Sequence, residues 1–437
     1  MGRHMGVRRP FCAAALAVTA LTAQASAAGG PEGAANAHWP QAALSLQYEL
    51  SSDLGYRDAP WVGTHNSFNS TAEVGDTLSA RDSNQQLRIT EQLDLGVRSI
   101  ELDLHWFMRP GTGARAVVVC HARGASEGHA GCTTEPTLDL VLDPIVAWLR
   151  EPTHRHEVLN VHLQDELEST AGYDAATDIL KQKLGALLYL PSPPSGGGCA
   201  ALPLDLSRDD VRAAGAQVVL VSDCGPGSGW PTAVFDWREP HEEDRPLDYR
   251  DYPDCDQELA RTTYKAKMIR YYEDSTRLTE GASQTGAAEK RDRITPETAG
   301  RMARCGVDLI DLDQIVPDDS RLEALVWSWM PGQPSRGRCA VQRASEKFPF
   351  GRWRSKPCSG ERPVACRKPS GKWIVVVAKT PSRRARAVCA DRKASYAVPR
   401  SGFEVQRLRQ RMERKQVDAV WLGYRKKEGA WTALDHR

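Results

Sequence analysis

Three short segments of this 437-residue chain gather side chains that bind cations or move protons: Gly63-Thr64-His65-Asn66-Ser67, Arg98-Ser99-Ile100-Glu101-Leu102-Asp103 and Val119-Cys120-His121. In an extended strand successive side chains alternate faces, so Glu101 and Asp103 share one face while Ile100, Leu102 and Leu104 share the other. Two carboxylates on one face repel unless something positive lies between them. A hard divalent cation with oxygen ligands fills that role, and Asn66 can add a neutral carbonyl oxygen. A structural pair satisfied by Arg98 and backbone donors is the alternative. His65 and His121 have the side chain that both takes and gives a proton near neutral pH, which suits them to an acid/base pair.

Such residues need a frame that brings distant segments together. From about residue 57 to 316, short apolar runs alternate with helix-like segments. The expected strands are 61–64, 97–104, 116–120, 158–163, 218–221, 233–237, 268–272 and 307–312. Helices are expected over Leu138–Arg150 and Asp174–Leu190, where apolar residues recur at helical spacing. Alternation of this kind over roughly 260 residues predicts an α/β fold, a parallel TIM-type barrel whose loops converge at the C-terminal ends of the strands. The three segments then end the first three strands. His162 and Gln164 share a face of the fourth strand, Asp311 and Asp313 share a face of the last, and Lys267, Arg270 and Tyr271 lie near the seventh. The stretch from Arg238 to Asp256, rich in charge and proline, is read as a surface excursion.

Thr64-His65-Asn66-Ser67, then Gly96-x-Arg98-x-x-Glu101-Leu102-Asp103, then a lone His121 resembles the X region of phosphatidylinositol-specific phospholipases C. The resemblance covers about Trp61 to Ile315. It implies that an inositol hydroxyl attacks phosphorus and displaces the lipid alkoxide, giving a cyclic phosphate that water then opens. His121 would be the acid toward the leaving group and His65 the partner of the phosphoryl oxygens. Metal-independent bacterial members carry Arg where Asp103 stands, so Asp103 with Asn66 resembles the calcium-dependent branch, with Ca2+ held by Asn66, Glu101 and Asp103. That branch has a further carboxylate where Gln164 falls in this chain. Asp165 or Glu166 reaches that place only if the strand end bulges. His162, Arg270, Tyr271 and Asp313 are the expected substrate contacts.

The formal charge of +1, from 57 basic and 56 acidic residues, hides a division. Residues 333–437 hold 27 Lys and Arg against 8 Asp and Glu, a net +19, whereas residues 28–332 are at −21. This places a boundary near residue 330. Residues 1–27 read as an export signal: Arg3, Arg8 and Arg9 precede an apolar run that ends in Ala25-Ser26-Ala27. Residues 28–56 lead into a barrel over 57–326, and residues 327–437 form a second domain. Loss of Cys12 with the signal leaves ten cysteines in an oxidising compartment, none in a Cys-x-x-Cys pair, so disulfides are expected.

In the basic tail, Trp327-Ser328-Trp329, Cys339, Trp353, Cys358 and Cys366 are similar to the second half of a C-type-lectin-like domain. First-half features follow at Cys389, Tyr396 to Phe403 and Trp421, as in a circular permutation. That likeness pairs Cys339 with Cys358 and Cys366 with Cys389; Cys120 with Cys132 and Cys199 with Cys224 are favoured among the remaining pairings. Ser335 and Arg354-Ser355 replace the lectin carboxylates, which argues against calcium-dependent sugar binding there. The expected protein is a secreted phosphodiesterase acting on a phospholipid, with peripheral contact to an anionic membrane or cell wall and no nucleic-acid partner. A glycerophosphodiesterase on the same barrel and a catalytically degenerate scaffold are the alternatives.

Overall fold

The computed structural model describes residues 39–74, 83–237, 271–274, 294–345 and 351–435. The export signal, Lys267, Arg270 and the 238–256 excursion lie outside the described residues. The first described element, helix α1 (Trp39–Leu50), packs against a curled sheet, where the Tyr48 hydroxyl accepts from the Val62 N–H at 3.3 Å. That sheet contains β1 (Trp61–Thr64), β2 (Ser99–Met108), β4 (Leu159–Glu166), β5 (Val218–Ser222), β6 (Phe235–Asp236), β7 (Tyr271–Glu273) and β8 (Leu309–Leu312). These run parallel in the order β6-β5-β4-β2-β1-β8-β7. This is the α/β TIM-type architecture expected, as a half-barrel in which the described parts of β6 and β7 form the two edges.

The third expected strand departs from the barrel pattern. Strand β3 (Arg115–Val119) runs antiparallel to β2, with Leu104 opposite Val119 and Met108 opposite Arg115. The cause is the turn Pro110-Gly111-Thr112-Gly113, whose two glycines take left-handed φ of 85° and 64° and reverse the chain. His121 therefore descends on the return arm of a hairpin instead of rising at the end of a parallel strand. The backbone N–H of Cys120 meets the carbonyl of Asp103 at 3.3 Å.

Helix α2 (Leu138–Arg150) buries Leu138, Val141, Leu142, Ile145, Val146 and Leu149, the stripe that its sequence spacing demands. Helix α3 (Thr170–Leu184) begins four residues before the expected start, because the Ser169 hydroxyl accepts from Gly172 N–H and caps it. Helix α4 (Pro296–Cys305) precedes β8.

A second, mixed sheet follows. It comprises β9 (Cys339–Arg343), β10 (Trp353–Lys356), β11 (Glu361–Arg367), β12 (Trp373–Pro381), β13 (Ser395–Tyr396), β14 (Ala419–Lys427) and β15 (Ala430–Ala433), with helix α5 (Gly402–Arg414) beside it. Disulfides join Cys339 to Cys358 and Cys366 to Cys389 in this domain, and Cys120 to Cys132 and Cys199 to Cys224 in the barrel. The two sheets share one apolar core through Trp327, Trp329 and Trp353. Polar clamps reinforce it: Trp39 donates to the Gln333 carbonyl at 2.9 Å, and the Ser328 hydroxyl donates to Gln47 at 2.9 Å. Among the described residues, no helix is long and apolar enough to cross a membrane.

Candidate active site

Strand register assembles the site. Glu101 lies opposite His162 and Asp103 opposite Gln164, while Gly63 lies opposite Asp311 and Glu273 opposite Asp311 from the other side. Alternation sends Ile100, Leu102 and Leu104 into the core and the carboxylates to the barrel interior. Glycine at position 63 is a steric requirement, because a Cβ there would lie 1.6 Å from the Asp311 carboxylate. Glu101, Asp103, Asp311 and Asp313 are all at most 3% exposed, so four acids are buried around one rim.

Asn66 makes the turn off β1 with φ of 44°, a left-handed conformation that asparagine tolerates better than most residues. That turn aims its backbone N–H at Glu101 Oε2, 2.8 Å away. In the side-chain orientation that satisfies every group, Asn66 Nδ2 donates to the two Asp103 oxygens at 3.1 and 2.9 Å, and its Oδ1 accepts from His65 Nε2 at 2.9 Å. His65 Nδ1 lies 3.1 Å from Asp313 Oδ1, and His65 Nε2 is 3.1 Å from Glu273 Oε1. Arg321 anchors the floor by donating to the backbone carbonyls of Asp313 and Gln314 at 2.6 and 3.2 Å.

The electrostatics follow from this crowding. Burial would lower the His65 pKa, but the Glu273 and Asp313 carboxylates outweigh it and hold the imidazole well above its ordinary range. Burial would raise Glu101, yet the His162 hydrogen bond, the charges of His65 and His162 and the Asn66 N–H bring it down to about 2. Asp103 is pushed well above the usual carboxylate range by burial and the Glu101 charge. Burial, Glu101 and Glu273 do the same to Asp311, whose Oδ1 has no hydrogen-bond partner among the described residues. Burial lifts Asp313 to about 7 against the opposing pull of His65. Buried carboxylates with too few donors are stable only with protons or with a cation.

These residues fit a hard cation. Turning the Asn66 amide over would bring its oxygen against Asp103, an arrangement that only a positive charge between them tolerates. Ligand atoms of His65, Glu101 and Glu273 also lie within 4.8 Å of one another. Gln164 is exposed above this layer. Neither acidic neighbour takes its place. Asp165 faces away toward Tyr173 and Ser222, and Glu166 accepts from Ala125 N–H at 3.3 Å.

His121 stands across the rim, where the Asn69 side chain approaches its Nδ1 at 3.2 Å. Asn69 also donates to Asn84 at 2.9 Å, and Asn84 approaches His65 Nδ1 at 3.4 Å and Asp313 Oδ2 at 3.4 Å. A buried amide chain thus links the two histidines. His162 sits 3.3 Å from Glu101, and the Tyr271 hydroxyl bonds to Glu273. The structure therefore brings together His65, Asn66, Glu101, Asp103, His162, Tyr271 and Asp313, and connects His121 to them. Arg270 is outside the described residues. Glu273, Asn69 and Asn84 were not singled out by sequence; period-two spacing from Tyr271 could have suggested Glu273.

A family model described as the Rv2075c PI-PLC-like domain matches residues 21–319. Two Mycobacterium tuberculosis proteins named as uncharacterized, MT2135 of strain CDC 1551 / Oshkosh and Rv2075c of strain ATCC 25618 / H37Rv, are each 40% identical over 381 residues, 85% of this chain and 77% of theirs. Among solved structures, the phosphatidylinositol-specific phospholipase C of Listeria monocytogenes aligns with 65% of this chain and 97% of its own, at 15% identity and a TM-score of 0.40. A calcium-dependent phosphoinositol-specific phospholipase C from Pseudomonas sp. aligns with 62% of this chain and 92% of its own, at 13% identity and a TM-score of 0.31. With a family model spanning most of the barrel and relatives at 40% identity, the chain belongs to the Rv2075c PI-PLC-like family.

Proposed function

We propose that this protein is an exported, calcium-dependent phosphodiesterase that cleaves a phosphoinositide-type phosphodiester through a cyclic phosphate. The observation that carries the reading is His65, oriented at Nδ1 by Asp313, with Nε2 directed into a rim of buried carboxylates. Asn66, Glu101 and Asp103 would hold the calcium, and Glu273 would supply the charge that the neutral Gln164 lacks. Bound there, calcium lowers the pKa of the attacking hydroxyl and offsets phosphoryl charge.

The chain's own residues do the rest. Nε2 of His65, released from Glu273 by substrate, donates to a phosphoryl oxygen while Asp313 keeps the ring in place. The inositol hydroxyl adjacent to the phosphate gives its proton to the freed Glu273 carboxylate and attacks phosphorus, and the bond to the diacylglycerol oxygen breaks. His121 gives that oxygen its proton. In the second half-reaction the same imidazole takes a proton from the water that opens the ring, with acid and base roles exchanged. The Cys120–Cys132 bridge closes the loop that begins with His121, which fixes the position of the acid. His162, bonded to Glu101, and Tyr271, bonded to Glu273, set the walls against the inositol ring.

The test is incubation of purified protein with phosphatidylinositol in calcium and in chelator, with products resolved by phosphorus NMR. A cyclic inositol phosphate formed only with calcium is expected. Cleavage of glycerophosphodiesters without a cyclic product would replace the substrate assignment, and no turnover of either substrate would sink the enzymatic reading.

A further inference from the structure

A groove of about 710 Å³ lies between the second sheet and the barrel, lined by Arg367, Lys372, Arg407, Arg411 and Arg414 over a floor that includes Trp373. Arg407, Arg411 and Arg414 fall on one face of α5 at spacings of four and three. Like charges so placed repel and weaken a helix. The helix dipole favours Arg411 and Arg414 in the last turn, Arg407 donates to Gln410 at 3.4 Å and stacks over Phe403, and Lys372 adds a further positive charge to the lining. Two acids, Asp58 and Glu404, line the groove, and Glu404 is already bound, by the Arg367 guanidinium at 2.7 Å and by the Arg400 N–H at 2.9 Å. Arg367 Nε is buried without a hydrogen-bond partner among the described residues. The groove thus sets five cationic side chains against two acids.

Position decides what kind of anion fits. The groove's barrel wall is Leu54 and Asp58, in the segment that enters β1. That is the N-terminal end of the strands, opposite the carboxylate rim. A bilayer resting on the groove would leave the rim facing away from it. Arg407 to Arg414 covers about 10 Å along the helix axis, room for more than one phosphate, and guanidinium forks match phosphate oxygens. We infer that this groove binds a linear, phosphate-bearing polyanion from solution, at the end of the barrel opposite the catalytic rim. The +19 of the tail is thereby given a local purpose: it tethers the enzyme to a polymer while the rim stays open to substrate.

The experiment titrates short-chain inorganic polyphosphate into the full-length protein by calorimetry at several salt concentrations, so it reads binding independently of any catalysis. Saturable binding that weakens with salt is expected. The exposed pair Lys372→Glu with Arg414→Glu should lose affinity about tenfold or more, with a shallower salt slope. Lys379→Glu with Arg384→Glu changes the same charge on exposed positions of the same domain, with Lys379 about 20 Å from Lys372 along β12, and should stay within about twofold. Equal loss in both variants would overturn the groove. So would the absence of saturable binding. Vesicles of phosphatidylinositol and phosphatidylcholine that bind through the same pair would make this a membrane face instead, and an oligonucleotide that binds more tightly than polyphosphate would overturn the choice of polymer.

Discussion

The acidic rim and the basic groove are opposite solutions to crowding like charges. At the rim, Glu101, Asp103, Asp311 and Asp313 sit on rigid parallel strands and are at most 3% exposed, so they cannot keep their water. Their pKa values spread in consequence, Glu101 to about 2 and Asp313 to about 7. In the groove, Arg407, Arg411 and Arg414 lie on a helix face and keep partial contact with solvent. Burial and the two neighbouring arginines lower Arg407 from its ordinary value, but solvent absorbs most of the repulsion. Buried like charge demands a counter-charge or protons and suits chemistry, whereas half-exposed like charge suits recruitment.

The largest break in this contrast should come from His121→Ala. Loss of a positioned acid lowers kcat by about a thousandfold, while polyphosphate binding stays unchanged; a kcat within a factor of three of wild type would remove His121 from the reaction.

The next effect lies behind the His121 hairpin. His105 Nδ1 meets His129 Nδ1 at 2.8 Å, and His129 Nε2 meets Glu168 at 2.7 Å. Burial, His129 and His121 push His105 down to about 4. Between that value and about 6.5 the unfolded chain binds a proton that the folded chain does not, so stability rises with pH in this window. It is lost as the pH falls, by roughly 3 kcal/mol for the full shift. Urea unfolding at several pH values should show this slope, and His105→Phe should flatten it; an unchanged slope would assign the acid sensitivity elsewhere.

Gly63→Ala follows, at roughly 2 kcal/mol, because the new methyl meets the Asp311 carboxylate and one of them must move. Thermal unfolding reads this, and a variant as stable as wild type would show that Asp311 can leave the rim. The smallest change is Glu273→Gln, which should weaken calcium by about tenfold, or about 1.4 kcal/mol, without loss of fold. Calcium affinity equal to wild type would exclude Glu273 as the substitute for the missing fourth carboxylate.

Much of the rim was legible in the sequence because strand alternation is local: it paired Glu101 with Asp103 and separated them from Ile100 and Leu102. The short spacing of Cys120 and Cys132 was equally legible. The hairpin that carries His121 was missed because apolar β3 resembles any barrel strand, and only the Gly111 and Gly113 turn distinguishes it. Asn69 and Asn84 were invisible for a different reason. Polar residues in loops are usually solvated, and only the meeting of segments distant in sequence buries these two between the histidines. Asp165 and Glu166 stood beside the ligand position in sequence, but strand geometry turns one outward and ties the other to the neighbouring loop.

The cation at the rim is tested most directly by titrating calcium into the metal-free protein at neutral pH in buffers of different ionisation enthalpy. Asp103 and Asp311, pushed well up by burial and like charge, hold protons more tightly than ordinary carboxylates, and a bound cation opposes that hold. One saturable site is expected, with release of about one proton or more, and both signals should vanish in Asp103→Asn. The absence of saturable binding, or binding with no proton released, would contradict a rim built to hold calcium.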